Sequence, residues 1–204
     1  MSEGCGDLNT YSFKKYLLEH NINLSIDQSV DDFIFEFRVP KHDIKAAFNA
    51  IKMMLTQPGF SADAMERVKQ QLLTVLNQSL HSEKAVAANI KNQRAYPGHP
   101  YGRSIEENIH DLPAITADDL KKYMTDNFRA DRVIIAASGA IDQTQLSAFL
   151  DDTLHSLAEK TSQTALFTSS IEPVSPGTIF VKEMDIPQSA VLFFQPSLSR
   201  QDPD

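Results

Sequence analysis

The chain has 204 residues, of which 42% are hydrophobic and 23% are charged, a balance that can fill a core and excludes a wholly disordered protein. Asp and Glu total 27 against 19 for Lys and Arg, giving a formal net charge of −8. This sign argues against a nucleic-acid-binding protein, which needs basic side chains to neutralise phosphates. A single cysteine, Cys5, excludes an internal disulfide and a cysteine-cluster metal site. The longest uncharged apolar stretch, residues 133–141, is much shorter than a membrane span.

Hydrophobic periodicity divides the chain into helices and strands. The predicted helices cover residues 10–20, 44–55, 61–82, 83–95, 116–128 and 142–157. The predicted strands cover residues 22–26, 33–39, 132–137, 178–181 and 190–194. Strands and helices do not alternate as βαβ units, so this order predicts an α+β fold with a mostly antiparallel sheet and helices packed on one face.

Local signals refine several of these elements. In the first helix Phe13 and Leu17 form the inward stripe, and Thr10 or Ser12 offers a cap. A turn at 27–29 joins the first two strands. Thr116, with a carboxylate three residues later, predicts a capping box at the start of its helix. The uncharged β-branched run that follows Arg132 predicts a buried strand.

The helix 61–82 carries an apolar face with six members. They are Met65, Val68, Leu72, Val75, Leu76 and Leu80. Its opposite face is polar, which is typical of a solvated helix surface. After the last predicted helix, residues 159–176 are rich in Ser, Thr and Pro without periodicity, and we interpret them as a linker.

The ends of the sequence lead us to expect a fragment, or a reading frame started at an internal Met. The first six residues lack the basic start and apolar stretch of a signal peptide. The last five, Arg200 to Asp204, have the composition of a turn or of a helix start.

Histidine spacing produces no zinc motif from the residues alone. The segment from Tyr16 to His20 resembles half of a His-x-x-Glu-His site, but Tyr16 stands where the first ligand belongs. A neutral phenol is a poor zinc ligand. We therefore favour the interpretation that Glu19 and His20 end a helix, where a protonated imidazole suits the negative end of the helix dipole.

The candidate nucleophiles are Ser104, Ser138 and Cys5. Neither serine lies in a Gly-x-Ser-x-Gly elbow, and spacing alone assembles no Ser-His-Asp set. Cys5 would be reactive only if exposed, and no nearby group would lower the pKa of its thiol. The residues by themselves therefore predict no catalytic, cofactor-binding or metal-binding site in this chain.

Four segments together resemble the insulinase and mitochondrial-processing-peptidase family of zinc metallopeptidases. Residues 98–103 (GHPYGR) with 112–120 resemble the family's "HPYGR … lt.edL" stretch. Residues 132–142 resemble its "vvvvGdid" strand. Residues 57–67 resemble its "P.F….ER" helix junction, and residues 3–8 resemble the "dEGaGdl" segment of its non-catalytic bacterial members. Each motif is weak alone, but their order and spacing are specific.

The resemblance implies a zinc site that this chain lacks. In active relatives a His-x-x-Glu-His motif lies on a helix that would precede Met1. The third ligand is a Glu that aligns with Thr74 or Val75, and neither side chain is a carboxylate. If the alignment were shifted by a few residues, the nearest carboxylates would be Glu66 and Glu83.

The resemblance also implies a domain division. Residues 1–158 would be an incomplete peptidase-family domain without its first hairpin and zinc-motif helix. Residues 159–176 would be the linker, and 177–204 the opening hairpin of a second, similar domain.

We therefore expect an insulinase-like protein without catalysis of its own, with no cofactor in this chain and zinc only in active relatives. It would be a partner subunit or chamber wall for a catalytic zinc peptidase of the same family and its peptide substrates. The alternative is a fragment of an active zinc metalloendopeptidase whose motif lies upstream of Met1. The compartment stays open, with the periplasm suggested by bacterial relatives.

Overall fold

The computed structural model describes residues 3–29, 31–155, 157 and 177–195. In this part of the chain the α-helices are α1 (Thr10–Glu19), α2 (Ile44–Thr56), α3 (Ala62–Ser79), α4 (Glu83–Ala95), α5 (Ile105–Asp111), α6 (Ala117–Asn127) and α7 (Gln143–Leu154). The strands are β1 (Gly4–Cys5), β2 (Leu8–Asn9), β3 (Asn23–Gln28) and β4 (Phe33–Arg38). β1 pairs with β2 and β3 with β4, both antiparallel. The predicted α+β class is confirmed.

The chain divides into two compact units. The first comprises Met1–Arg67 and Ile115–Thr164, and the second comprises Val68–Ala114 and Ala165–Asp204. The boundary between Arg67 and Val68 falls inside α3. None of the helices in the described residues combines the length and apolar character needed to cross a membrane.

The core of the first unit lies between α1, α2 and the β3–β4 hairpin. Phe13 of α1, Cys5 of β1 and Met54 of α2 are fully buried, with Ala50 of α2 beside them. Ala50 and Met54 lie four residues apart, so one face of α2 enters this core, and Ala46, one turn earlier, belongs to a second buried cluster with Ile22. The side chains at alternate positions of β3 and β4 cover it from the other side.

Aromatic and charged contacts join the other elements of this unit. The rings of Phe48 on α2 and Phe149 on α7 stack with centroids 4.8 Å apart. One turn later on each helix, Lys52 Nζ lies 2.7 Å from Asp152 Oδ1. At the start of β4, Phe33 contacts Phe128, just beyond α6, with ring centroids 5.3 Å apart.

Most predicted helices are confirmed, with small corrections at their ends. The N-cap of α1 is Asn9, whose Oδ1 accepts a hydrogen bond of 2.9 Å from Ser12 N, and not Thr10 or Ser12. The hydroxyl of Thr10 instead donates to the carbonyl of Glu3 at 2.6 Å. Strand β3 runs on to Gln28, so the turn begins two residues later than predicted.

The prediction of a buried strand at 132–137 is wrong. Within the described residues this segment joins neither sheet, and Arg132 ends a short 3-10 helix. Val133, Ile134 and Ile135 are 41%, 97% and 42% exposed. β-Branched residues favour an extended chain, but only a neighbouring strand with free backbone groups makes that chain part of a sheet.

The predicted strands at 178–181 and 190–194 are likewise not formed, since the described residues 177–195 contain no strand. Ile179 and Phe193 are 84% and 93% exposed. The apolar face predicted for α3 is partly wrong for a similar reason, because Leu72 and Val75 are exposed. Hydrophobic periodicity shows which face of a helix or strand could be buried, but it does not show whether another element packs against that face.

We expect Phe13→Ala to lower the free energy of unfolding by about 3–5 kcal/mol, because it leaves a cavity in the fully buried core. Leu18→Ala on the exposed face of the same helix should change it by less than about 0.5 kcal/mol. Urea denaturation followed by circular dichroism measures both. Similar losses in the two variants would contradict the assigned core.

Candidate functional site

The Tyr16–His20 segment ends a helix and meets a carboxylate. His20 follows α1 as its C-cap, and its backbone N–H donates to the carbonyl of Tyr16 at 3.2 Å. The imidazole Nδ1 lies 3.2 Å from Asp43 Oδ1, and His42 Nε2 lies 3.1 Å from Asp43 Oδ2. The helix-end interpretation is thus confirmed, and His20 engages Asp43 at the start of α2.

The phenol of Tyr16 is held protonated by its surroundings. Its ring lies 4.6 Å from that of His20, and its hydroxyl donates to the carbonyl of Ala46 at 3.1 Å. Burial, followed by the negative charge of Asp43, raises the pKa of Tyr16. A protonated phenol does not bind zinc well. In the part of the chain that the structure describes, no three His, Cys, Asp or Glu side chains converge in a way that could hold a metal ion.

The positions that align with the third zinc ligand lie in the middle of α3. The hydroxyl of Thr74 donates to the carbonyl of Gln70 one turn earlier, at 2.8 Å. Val75 is 57% exposed, and its side chain has no atom that could bind a metal ion. Glu66 lies eight residues before Thr74 on the same helix, and Glu83 opens α4.

An open groove of about 510 Å³ runs along the same part of α3. Its lining has three carboxamides, one hydroxyl, one imidazole and one apolar side chain. These residues are Gln70, Leu73, Thr74, Asn77, Gln78 and His81. The groove therefore includes Thr74, one of the two positions that align with the third zinc ligand. It contains no carboxylate.

The serine candidates have structural roles or none. Ser104 caps α5, since its Oγ accepts from Glu107 N at 3.0 Å while its own N–H donates to Glu107 Oε2 at 2.7 Å. Hydrogen bonds to the Glu107 carboxylate from the backbone and then from the side chain of Ser104 lower the pKa of Glu107. Ser138 is exposed and precedes a bend at Gly139. The prediction missed α5, although Ser-x-x-Glu before an apolar residue is a capping-box signal.

Cys5 is not a nucleophile in this structure. Its side chain is fully buried in the first unit. Burial raises the pKa of the thiol to about 11, so the thiolate is scarce at neutral pH.

Two of the family-like motifs contact each other. The N–H of Gly59 donates to the carbonyl of Gly4 at 2.8 Å, and the N–H of Gly6 donates to the carbonyl of Gln57 at 2.8 Å. Glu3 forms an ion pair with Arg67 at the start of α3. The "dEGaGdl" and "P.F….ER" segments are thus two sides of one interface, which explains their joint presence.

The GHPYGR loop is likewise built by short-range contacts. The Nδ1 of His99 accepts from the backbone N–H of Tyr101 at 3.2 Å, and the two rings lie 4.5 Å apart. Arg103 donates to Asn108 Oδ1 at 2.7 Å and also pairs with Asp111. Contacts from His110 and then Arg103 lower the pKa of Asp111. These contacts are those of a rigid connection between α4 and α5.

Comparison with known proteins gives matches along most of the chain. A family model described as the peptidase M16 inactive domain matches residues 114–204. The "Probable mitochondrial-processing peptidase subunit beta" of Schizosaccharomyces pombe is 27% identical over 166 residues, covering 80% of this chain and 36% of that protein. The non-peptidase homolog YmxG of Helicobacter pylori is 26% identical over 146 residues, covering 71% of this chain and 34% of that protein.

Solved structures agree on the fold. A peptidase M16 inactive domain from Pseudomonas fluorescens superposes with a TM-score of 0.74 at 19% identity, covering 85% of this chain and 42% of that one. A protease from Helicobacter pylori superposes with a TM-score of 0.69 at 14% identity, covering 83% and 41%. The chain spans about a third of the length of the two curated relatives named above.

The fold is therefore the α+β fold of these peptidase-family structures. With the sequence matches, it confirms the resemblance drawn from the four motifs: the chain is similar in sequence and in fold to proteins of the insulinase and mitochondrial-processing-peptidase family.

In the GHPYGR loop we expect Gly102→Ala to cost about 1–3 kcal/mol of unfolding free energy, because the new Cβ would lie 2.1 Å from the carbonyl oxygen of Tyr96. Gly98→Ala meets no atom within 4 Å, but its φ of +71° costs about 1 kcal/mol. Denaturant unfolding should therefore rank Gly102→Ala as the more damaging change. The reverse order would contradict the described loop.

The Ser104 cap makes a prediction about acid stability. Because the pKa of Glu107 is lowered in the folded state, its contribution is present above the unfolded pKa of about 4.3 and is lost as the pH falls through the lower folded value. Glu107→Gln should therefore flatten the fall of Tm below about pH 4.3. Ser104→Ala should cost about 1 kcal/mol at pH 7, while Ser104→Thr retains the cap. Equal Tm curves for wild type and Glu107→Gln would contradict this.

Proposed function

We propose that this chain belongs to a non-catalytic member of its family, which pairs with an active zinc peptidase of the same family. It would contribute part of the wall around unfolded peptide substrates. The observation that carries the proposal is the chemistry of α3 at the aligned ligand position. There Thr74 uses its hydroxyl within its own helix, and Val75 has no ligand atom.

The comparisons support the non-catalytic part. The matching family model is described as an inactive domain, and one of the curated relatives is described as a non-peptidase homolog. A hydroxyl or an isopropyl group cannot replace the negative charge that a carboxylate brings to zinc. Replacing the ligand by such a side chain lowers the affinity for zinc, and with the zinc goes the catalysis that depends on it.

The names of other relatives support the pairing. Subunit beta of the mitochondrial-processing peptidase of Saccharomyces cerevisiae and subunit 1 of the bovine cytochrome b-c1 complex are named as parts of assemblies. Zinc would then belong to the partner, and this subunit would contribute shape and surface. A periplasmic location for the complex stays a prediction.

The active alternative rests on the relatives that are peptidases or peptidase subunits, such as the protease from Helicobacter pylori. It requires a His-x-x-Glu-His motif outside this chain, and a carboxylate other than residue 74 or 75 as third ligand. The two readings differ in where zinc resides, so metal analysis separates them.

We expect the full-length parent, purified alone, to contain substoichiometric zinc and to leave an unstructured fluorogenic peptide uncut. Purified gently from its own cells, it should carry a partner with about one zinc ion and with cleavage abolished by a chelator. Stoichiometric zinc in the isolated parent, together with chelator-sensitive cleavage, would establish the active alternative.

A further inference from the structure

We draw no further inference here: the strongest candidate, the exposed apolar surface patch of residues 133–135 between α6 and α7, carries none because nothing in the structure shows what covers it.

Discussion

The first unit depends on the backbone pairing between the N-terminal segment and the turn after α2. Gly4 and Gly59 approach so closely that a Cβ on Gly59 would lie 2.9 Å from the Gly4 carbonyl oxygen. This approach holds Cys5 beneath Pro58 and against the faces of α1 and α2. Since close backbone contact tolerates no side chain, glycine at these positions is a geometric requirement.

Features that depend only on neighbouring residues, such as helix boundaries and capping boxes, can be predicted from the sequence. The boundaries of α4 and the Thr116 capping box follow from caps and periodicity within a few neighbouring residues. The segments around Ile134 and Phe193 were misassigned because a strand is defined by a partner elsewhere, which a single stretch of sequence does not contain. The sequence does not identify Asn9 as the cap of α1, because Thr10 is an equally suitable capping residue by type. In the structure the hydroxyl of Thr10 donates to the carbonyl of Glu3 instead.

The candidate site shows the same division. The sequence resemblance located positions 74 and 75 on a helix and showed that they carry no carboxylate. It did not reveal that the Thr74 hydroxyl bonds to its own helix, or that Gln78 and His81 border the same groove. Neutral carboxamides spaced along a helix are common in solvated faces, so only their shared concave surface distinguishes them.

The burial of Cys5 has a practical consequence. Cys5 is the only cysteine of the chain, and its side chain is closed off from solvent. An alkylating reagent can therefore react with it only while the surrounding segment is locally unfolded. When the reagent is concentrated enough to label the open state before it recloses, the rate of irreversible labelling equals the rate of those openings. Labelling with a maleimide therefore measures how often the contact between Gly4 and Gly59 opens, and no additional cysteine has to be introduced.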